Sequence, residues 1–164
     1  MKGIKNYCGI VLLMMLFFFT ACSVSKEART MKNTINGYWI LQTISIEGID
    51  TKLKANVFNE ADYSCFTGSS WNFISNNGMG NYTLPGTAPA CSSLVRNIRW
   101  TIDEPKDGER KFQFKRLDEN KNPMDDNNGY RLSVASLTDN TMQLKSAISF
   151  EGKPVNIVYN FVKK

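Results

Sequence analysis

From Gly37 onward, apolar and polar side chains alternate over most of the chain, and a period of two marks strands with one buried face. Residues 37–47 (GYWILQTISIE) are β-branched and aromatic and stop at Gly48. Residues 70–75 set Trp71 and Phe73 on one face and run into the turn signal Asn76-Asn77-Gly78. Residues 79–84 carry Tyr82 and halt at Pro85-Gly86, a turn pair. Residues 95–102 align Ile98, Trp100 and Ile102 against Arg99 and Thr101, and residues 111–117 align Phe112 with Phe114. The last three segments, 129–137, 141–150 and 155–162, repeat the pattern with Tyr130, Leu132 and Val134, then Met142 and Leu144, then Ile157, Tyr159 and Phe161.

These segments predict eight strands, mostly separated by turn-sized gaps. Parallel neighbours need crossovers of a dozen or more residues, so the expected fold is all-β and antiparallel. Eight such strands in sequence can close into an up-and-down barrel and leave no open edge. The exception is the connection 49–68, where Leu53, Val57 and Ala61 have the spacing of a short amphipathic helical turn. A segment of that length at that place is expected to act as a lid over one barrel mouth.

The chain before the first strand has a different character. Lys2 and Lys5 precede an unbroken apolar run over 10–19, about half the ~20 residues of a spanning helix, and so it reads as the core of a processing signal. The run ends Phe19-Thr20-Ala21-Cys22, which resembles a bacterial lipobox, with Phe19 where leucine is commoner. That resemblance implies cleavage before Cys22 and acylation of its sulfur. Residues 23–36 are polar, show no evident hydrophobic periodicity, and suit a tether. The expected organisation is a signal peptide over 1–21, lipid anchor and tether over 22–36, and a barrel over 37–164.

Export changes the meaning of the cysteines. Cys8 leaves with the signal and Cys22 is committed to lipid, leaving Cys65 and Cys91 in an oxidising compartment. A bridge between them closes about 27 residues, worth roughly 3.5 kcal/mol in the chain-entropy model. Free thiols or a metal site are the alternatives, and two isolated cysteines without histidine make a poor zinc set.

Charge adds little. Removing 1–21 leaves 18 basic and 15 acidic residues, a net charge of +3. The densest basic stretch, 110–116, interleaves cations with Phe112 and Phe114 and reads as a half-buried strand with a solvated basic face rather than a nucleic-acid surface.

Gly37-Tyr38-Trp39 at the head of the first strand resembles the Gly-x-Trp signature of lipocalins. The lipobox, the run 65–74 (CFTGSSWNFI), Asn76-Asn77-Gly78 with Tyr82, and the segments 142–144 and 151–161 are similar to small lipocalin-like lipoproteins of Bacteroides-type bacteria. The resemblance covers 37–164. It implies a barrel with an internal cavity, and a tryptophan, here Trp39, packed across the closed end. The arginine that packs on this tryptophan in larger lipocalins has no assigned counterpart.

Chemistry-bearing patterns are sparse. The chain has no histidine, so Ser-His and Cys-His pairs and imidazole metal ligands are absent. There is no Gly-x-Ser-x-Gly elbow, no phosphate-binding glycine loop, and no EF-hand, because Met124 and Ala135 fall where calcium carboxylates belong. Asn127-Asn128-Gly129 reads instead as a turn into the sixth strand. No catalytic residue, metal or cofactor is nominated, and the chain is read as a non-enzyme. The ligand-binding candidates are Trp71, Phe73, Tyr82, Trp100, Phe112, Phe114, Tyr130 and Tyr159, each on an alternating face. An eight-stranded barrel is just wide enough to be filled by such side chains or to hold one small ligand. The expected partners are a membrane, through the lipid at Cys22, and a small apolar ligand, with an envelope protein partner as the alternative. The expected location is the cell envelope, at the outer membrane.

Overall fold

The alternating segments close into a barrel in the computed structural model, which describes residues 25–49, 54–105 and 108–164. The signal, Cys22 and Leu53 lie outside the described residues. In chain order the elements are α1 (Lys26–Ile35), β1 (Gly37–Glu47), β2 (Asn56–Val57), β3 (Ala61–Asp62), a 3-10 turn (Tyr63–Phe66), β4 (Ser70–Ile74) and β5 (Met79–Leu84). They continue with β6 (Leu94–Asp103), β7 (Lys111–Leu117), a 3-10 turn (Asp125–Asn127), β8 (Tyr130–Leu137), β9 (Thr141–Phe150) and β10 (Lys153–Lys163).

The ladder runs β1-β10-β9-β8-β7-β6-β5-β4 and closes by pairing β4 with β1, all antiparallel. The expected eight-stranded up-and-down barrel is therefore the observed fold. Alternation sets its interior: Trp71 and Phe73 from β4, Tyr82 and Leu84 from β5, and Ile98 and Trp100 from β6 are all buried.

Two segments differ from expectation. The polar stretch before β1 is not simply an extended tether, because residues 26–35 form α1, with the Ser25 hydroxyl accepting from the Ala28 amide as N-cap. Ala28 and Ile35 are buried and Met31 packs beside them, a one-sided apolar stripe too sparse to stand out among polar neighbours. This stripe faces the barrel end where β1 begins and β6 finishes. Of the residues proposed as a helical turn in 49–68, Val57 and Ala61 instead pair with each other in a hairpin. Phe58 and Asn59 at its tip have φ of 55° and 48°, left-handed values that a right-handed helix cannot contain.

The end closed by α1 is organised around Trp39. Its indole N–H donates to the Ile35 carbonyl at 2.7 Å, and Lys163, its register partner on β10, places Nζ 5.2 Å from the ring centroid. The same Nζ donates to the Thr34 carbonyl at 2.8 Å. A lysine thus supplies the cation over the signature tryptophan, from a strand where no arginine was to be found. Gly37 has φ of +112°, a conformation L-residues rarely adopt, and so turns the chain from helix into strand.

Candidate functional site

The other end of the barrel is the mouth, and the β2–β3 hairpin lies across it. The expected disulfide is present: Cys65 in the 3-10 turn is bonded to Cys91 before β6, with Cα atoms 5.4 Å apart. It fixes the C-terminal base of the hairpin to the rim.

Phe58 is carried into the mouth by the turn. A bulky residue at positive φ is a strained choice, and burial of the ring offsets that cost. Its ring lies 4.9 Å from Phe114, 5.4 Å from Phe66 and from Tyr130, and 5.5 Å from Tyr159 between centroids. Most of these contacts are edge-to-face, the favoured arrangement for aromatic quadrupoles.

The eight aromatic candidates do converge inside the barrel, but as packing rather than as the wall of an open chamber. Trp100, Phe73 and Phe112 pack together towards the closed end, at 5.3 to 5.8 Å between centroids, Trp100 stacked on Phe112 and Phe73 edge-on to both. Trp71, Tyr82 and Phe114 occupy the middle, with Trp71 4.5 Å from Tyr82 and 5.8 Å from Phe114. Tyr130 and Tyr159 reach the mouth. The void left among Phe58, Trp71, Phe114, Leu132 and Tyr159 is about 10 Å³, at most room for one water and without polar partners for it.

Open space begins on the other side of Phe58. A cleft of about 270 Å³ separates the hairpin from β8, β9 and β10. Val57, Phe58, Leu132, Ile148 and Ile157 give it apolar walls, and Tyr130 and Tyr159 line it too. Phe58, Leu132 and Tyr159 border both the cleft and the inner void, so one side chain on a short hairpin divides the two.

Beside the cleft, charged side chains are buried together. Glu60, two residues past Phe58, accepts from Arg96 through both oxygens at 2.8 Å, from Arg116 at 3.0 Å and from the Tyr82 hydroxyl at 2.6 Å. Arg116 also donates through both Nε and Nη2 to Asp125, which accepts from the Tyr130 hydroxyl at 2.9 Å. The side chains of Glu60 and Arg116 are only 7% and 6% exposed, so these are desolvated charges that need their partners.

Burial raises the Glu60 carboxyl, but the hydrogen bonds from Arg96, Tyr82 and Arg116 outweigh it and hold it below the usual range. Arg116 depresses the Asp125 carboxyl against an opposing effect of burial. Burial and Asp125 push the Tyr130 phenol up to about 12, and burial does the same to Tyr159. Tyr82 is raised further, by burial and by Glu60. The phenols are therefore neutral donors and the carboxylates charged acceptors near neutral pH.

This network corrects one sequence reading. Arg116 follows Phe112 and Phe114 on the inward face of β7, so the basic stretch is not wholly a solvated face. Asp125 belongs to the rim as the partner of Arg116, and the left-handed backbone of Asp125, Asp126 and Asn127 makes the turn that delivers it. Glu60, Arg96 and Phe58 carried no motif. The inward register of Arg116 was the one signal in the sequence. Among the described residues, no group of three or more Cys, Asp and Glu side chains is placed to hold a metal ion.

The topology, the closed end and the hairpin-covered mouth can be set beside known proteins. A family model described as a lipocalin-like domain matches residues 35–144, more than half of the chain. Among solved structures, apocrustacyanin C2 aligns at 14% identity with a TM-score of 0.47, covering 84% of this chain. This chain spans 65% of that one. A bovine odorant-binding protein, solved with a selenium-containing odorant, aligns at 11% identity and a TM-score of 0.42, over 87% of this chain and 78% of its own. None of the curated proteins matches. By the extent of the family match, the chain belongs to the lipocalin-like domain family.

Proposed function

We propose that this protein binds a small apolar ligand at the barrel mouth, with Phe58 filling the inner part of the site until the ligand arrives. The observation that carries this reading is the position of Phe58, a residue of the short hairpin that borders both an apolar cleft of about 270 Å³ and the aromatic core. A cleft of that size is at the small end of ligand sites, which run from ~300 Å³ upward. Withdrawal of the ring joins the cleft to the space around Trp71, Phe114 and Tyr159. The packed interior excludes a large preformed chamber, so binding and hairpin movement are coupled. Native mass spectrometry and solvent extraction of the purified protein test this. A bound apolar molecule supports the reading. Its absence, together with no thermal shift from a panel of C8–C12 alcohols and arenes, refutes it.

The N-terminal sequence adds a location to the proposal. Lys2, Lys5, the apolar run and Ala21-Cys22 support export and lipidation at Cys22, and with them an anchor in the cell envelope, at either face of the outer membrane. Incorporation of labelled palmitate that is lost in Cys22→Ser is the expected result, and a Cys22→Ser protein still labelled and membrane-bound contradicts it.

A second reading has its own observation. A void of about 10 Å³ means the barrel is filled, as suits an envelope interaction module. Cross-linking in intact cells that captures one specific envelope protein, with no apolar ligand found, favours this alternative.

A further inference from the structure

We propose that Arg96, Arg116 and the Tyr82 hydroxyl form a receptor for a ligand carboxylate, a place held by Glu60 of the chain's own hairpin when no ligand is bound. The ligand class is then a monocarboxylate with an apolar chain or ring. This rests on the apolar-binding reading above and specifies which apolar ligand is taken.

The hairpin tip presents a molecule of that kind in miniature. Phe58 supplies the apolar body, buried among Phe66, Phe114 and Tyr159. Glu60, two residues on, supplies the carboxylate. Arg96 grips it as a planar fork, Nε to Oε2 and Nη2 to Oε1, both at 2.8 Å, a geometry matched to a carboxylate. Arg116 and Tyr82 converge on Oε2 from other strands. All three donors sit on barrel strands, β5, β6 and β7, and so remain in place when the hairpin moves.

The occupant is held less firmly than the receptor. β2 and β3 are two residues each and pair only with one another, outside the barrel ladder. Two-residue strands have little stability of their own. Charge balance completes the case. Two guanidiniums face two carboxylates in the closed mouth, and Asp125 stays with Arg116 when Glu60 leaves. One buried positive charge is then uncompensated, which an alcohol or hydrocarbon cannot neutralise and an ionised carboxylate can.

Calorimetric titration of the full exported protein with decanoate and with decanol at neutral pH tests this. The two probes share a chain and differ in head group. Wild type is expected to bind decanoate about tenfold more tightly than decanol, the scale of a hydrogen bond to a charged group. Glu60→Gln, which removes the competing carboxylate, is expected to tighten decanoate by a further factor of about ten while leaving decanol within roughly threefold. Equal tightening of both probes overturns the carboxylate receptor and leaves the apolar-binding reading standing. If neither probe binds wild type, Glu60→Gln or Phe58→Ala, both readings fail. Should Glu60→Gln not fold, Arg96→Met decides. Loss of the decanoate preference with decanol binding retained supports the receptor, and a preference that survives overturns it.

Discussion

Phe58→Ala is the perturbation that separates a plug from an ordinary core residue. The side chain is 8% exposed and lies in ring contact with Phe66, Phe114, Tyr130 and Tyr159. Core Phe→Ala substitutions cost about 3–5 kcal/mol, as lost transfer energy plus the energy of the cavity left behind. Two features of this site pull towards the lower end. The adjoining cleft gives water a route into part of the vacated space, and the hairpin can settle inwards because it is not tied to the ladder. Alanine also relieves some strain at φ 55°, since it lacks the bulk that makes this conformation unfavourable. The expected loss is therefore about 3 kcal/mol. In a domain of this size it lowers Tm by about 6–12 °C. Urea unfolding with the disulfide intact measures it. Decanol at a hundred times its Kd is expected to return about 2.7 kcal/mol by mass action. Because the ring no longer competes, the variant should bind decanol more tightly than wild type does. A loss below about 1 kcal/mol refutes the claim that Phe58 is packed as a plug. A full loss with unchanged decanol affinity refutes the claim that its place is a ligand's place.

Other expectations follow from the same geometry. The Glu60 and Asp125 carboxyls are depressed in the folded state, so their stabilisation is complete above their ordinary values of 4.5 and 3.8 and is lost as pH falls through the lower folded ones. Hydrogen exchange at residues 60–64 should accelerate in that acid range before the barrel strands respond, and simultaneous loss of both contradicts a hairpin latch. Replacing Cys65 and Cys91 together by serine is expected to cost about 3.5 kcal/mol in urea unfolding, for a bridge spanning 26 positions. Lys163→Met removes both the cation over Trp39 and the bond to Thr34, and about 1–2 kcal/mol with them. That change should speed exchange across α1, and an unaltered α1 contradicts the role given to Lys163.

The barrel was legible because alternation is a local property that each strand carries in its own residues. Phe112-x-Phe114 on β7 and Ile157-x-Tyr159-x-Phe161 on β10 declare their inner faces without reference to any partner. The cysteine pair was legible from a count. The mouth was not, because it is made by convergence. Glu60 meets Arg96 across 36 positions and Arg116 meets Asp125 from a turn, and no local pattern encodes either meeting. Helix α1 was missed for a different reason, since Ala28, Met31 and Ile35 are helically spaced but stand among charged and polar neighbours. Whether the aromatic faces lined a chamber or filled it turned on Phe58, a residue in a connection whose hairpin had no strand long enough to show a period.

The central claim is that ligand and Phe58 compete for one place. Aromatic and methyl NMR of the protein, titrated with decanol, tests it directly. The expected result is loss of nuclear Overhauser contacts from the Phe58 ring to Phe114 and Tyr159, with new contacts from the decanol chain to those rings and to Leu132. Saturable decanol binding that leaves every Phe58 contact intact, or no binding at all, contradicts the claim.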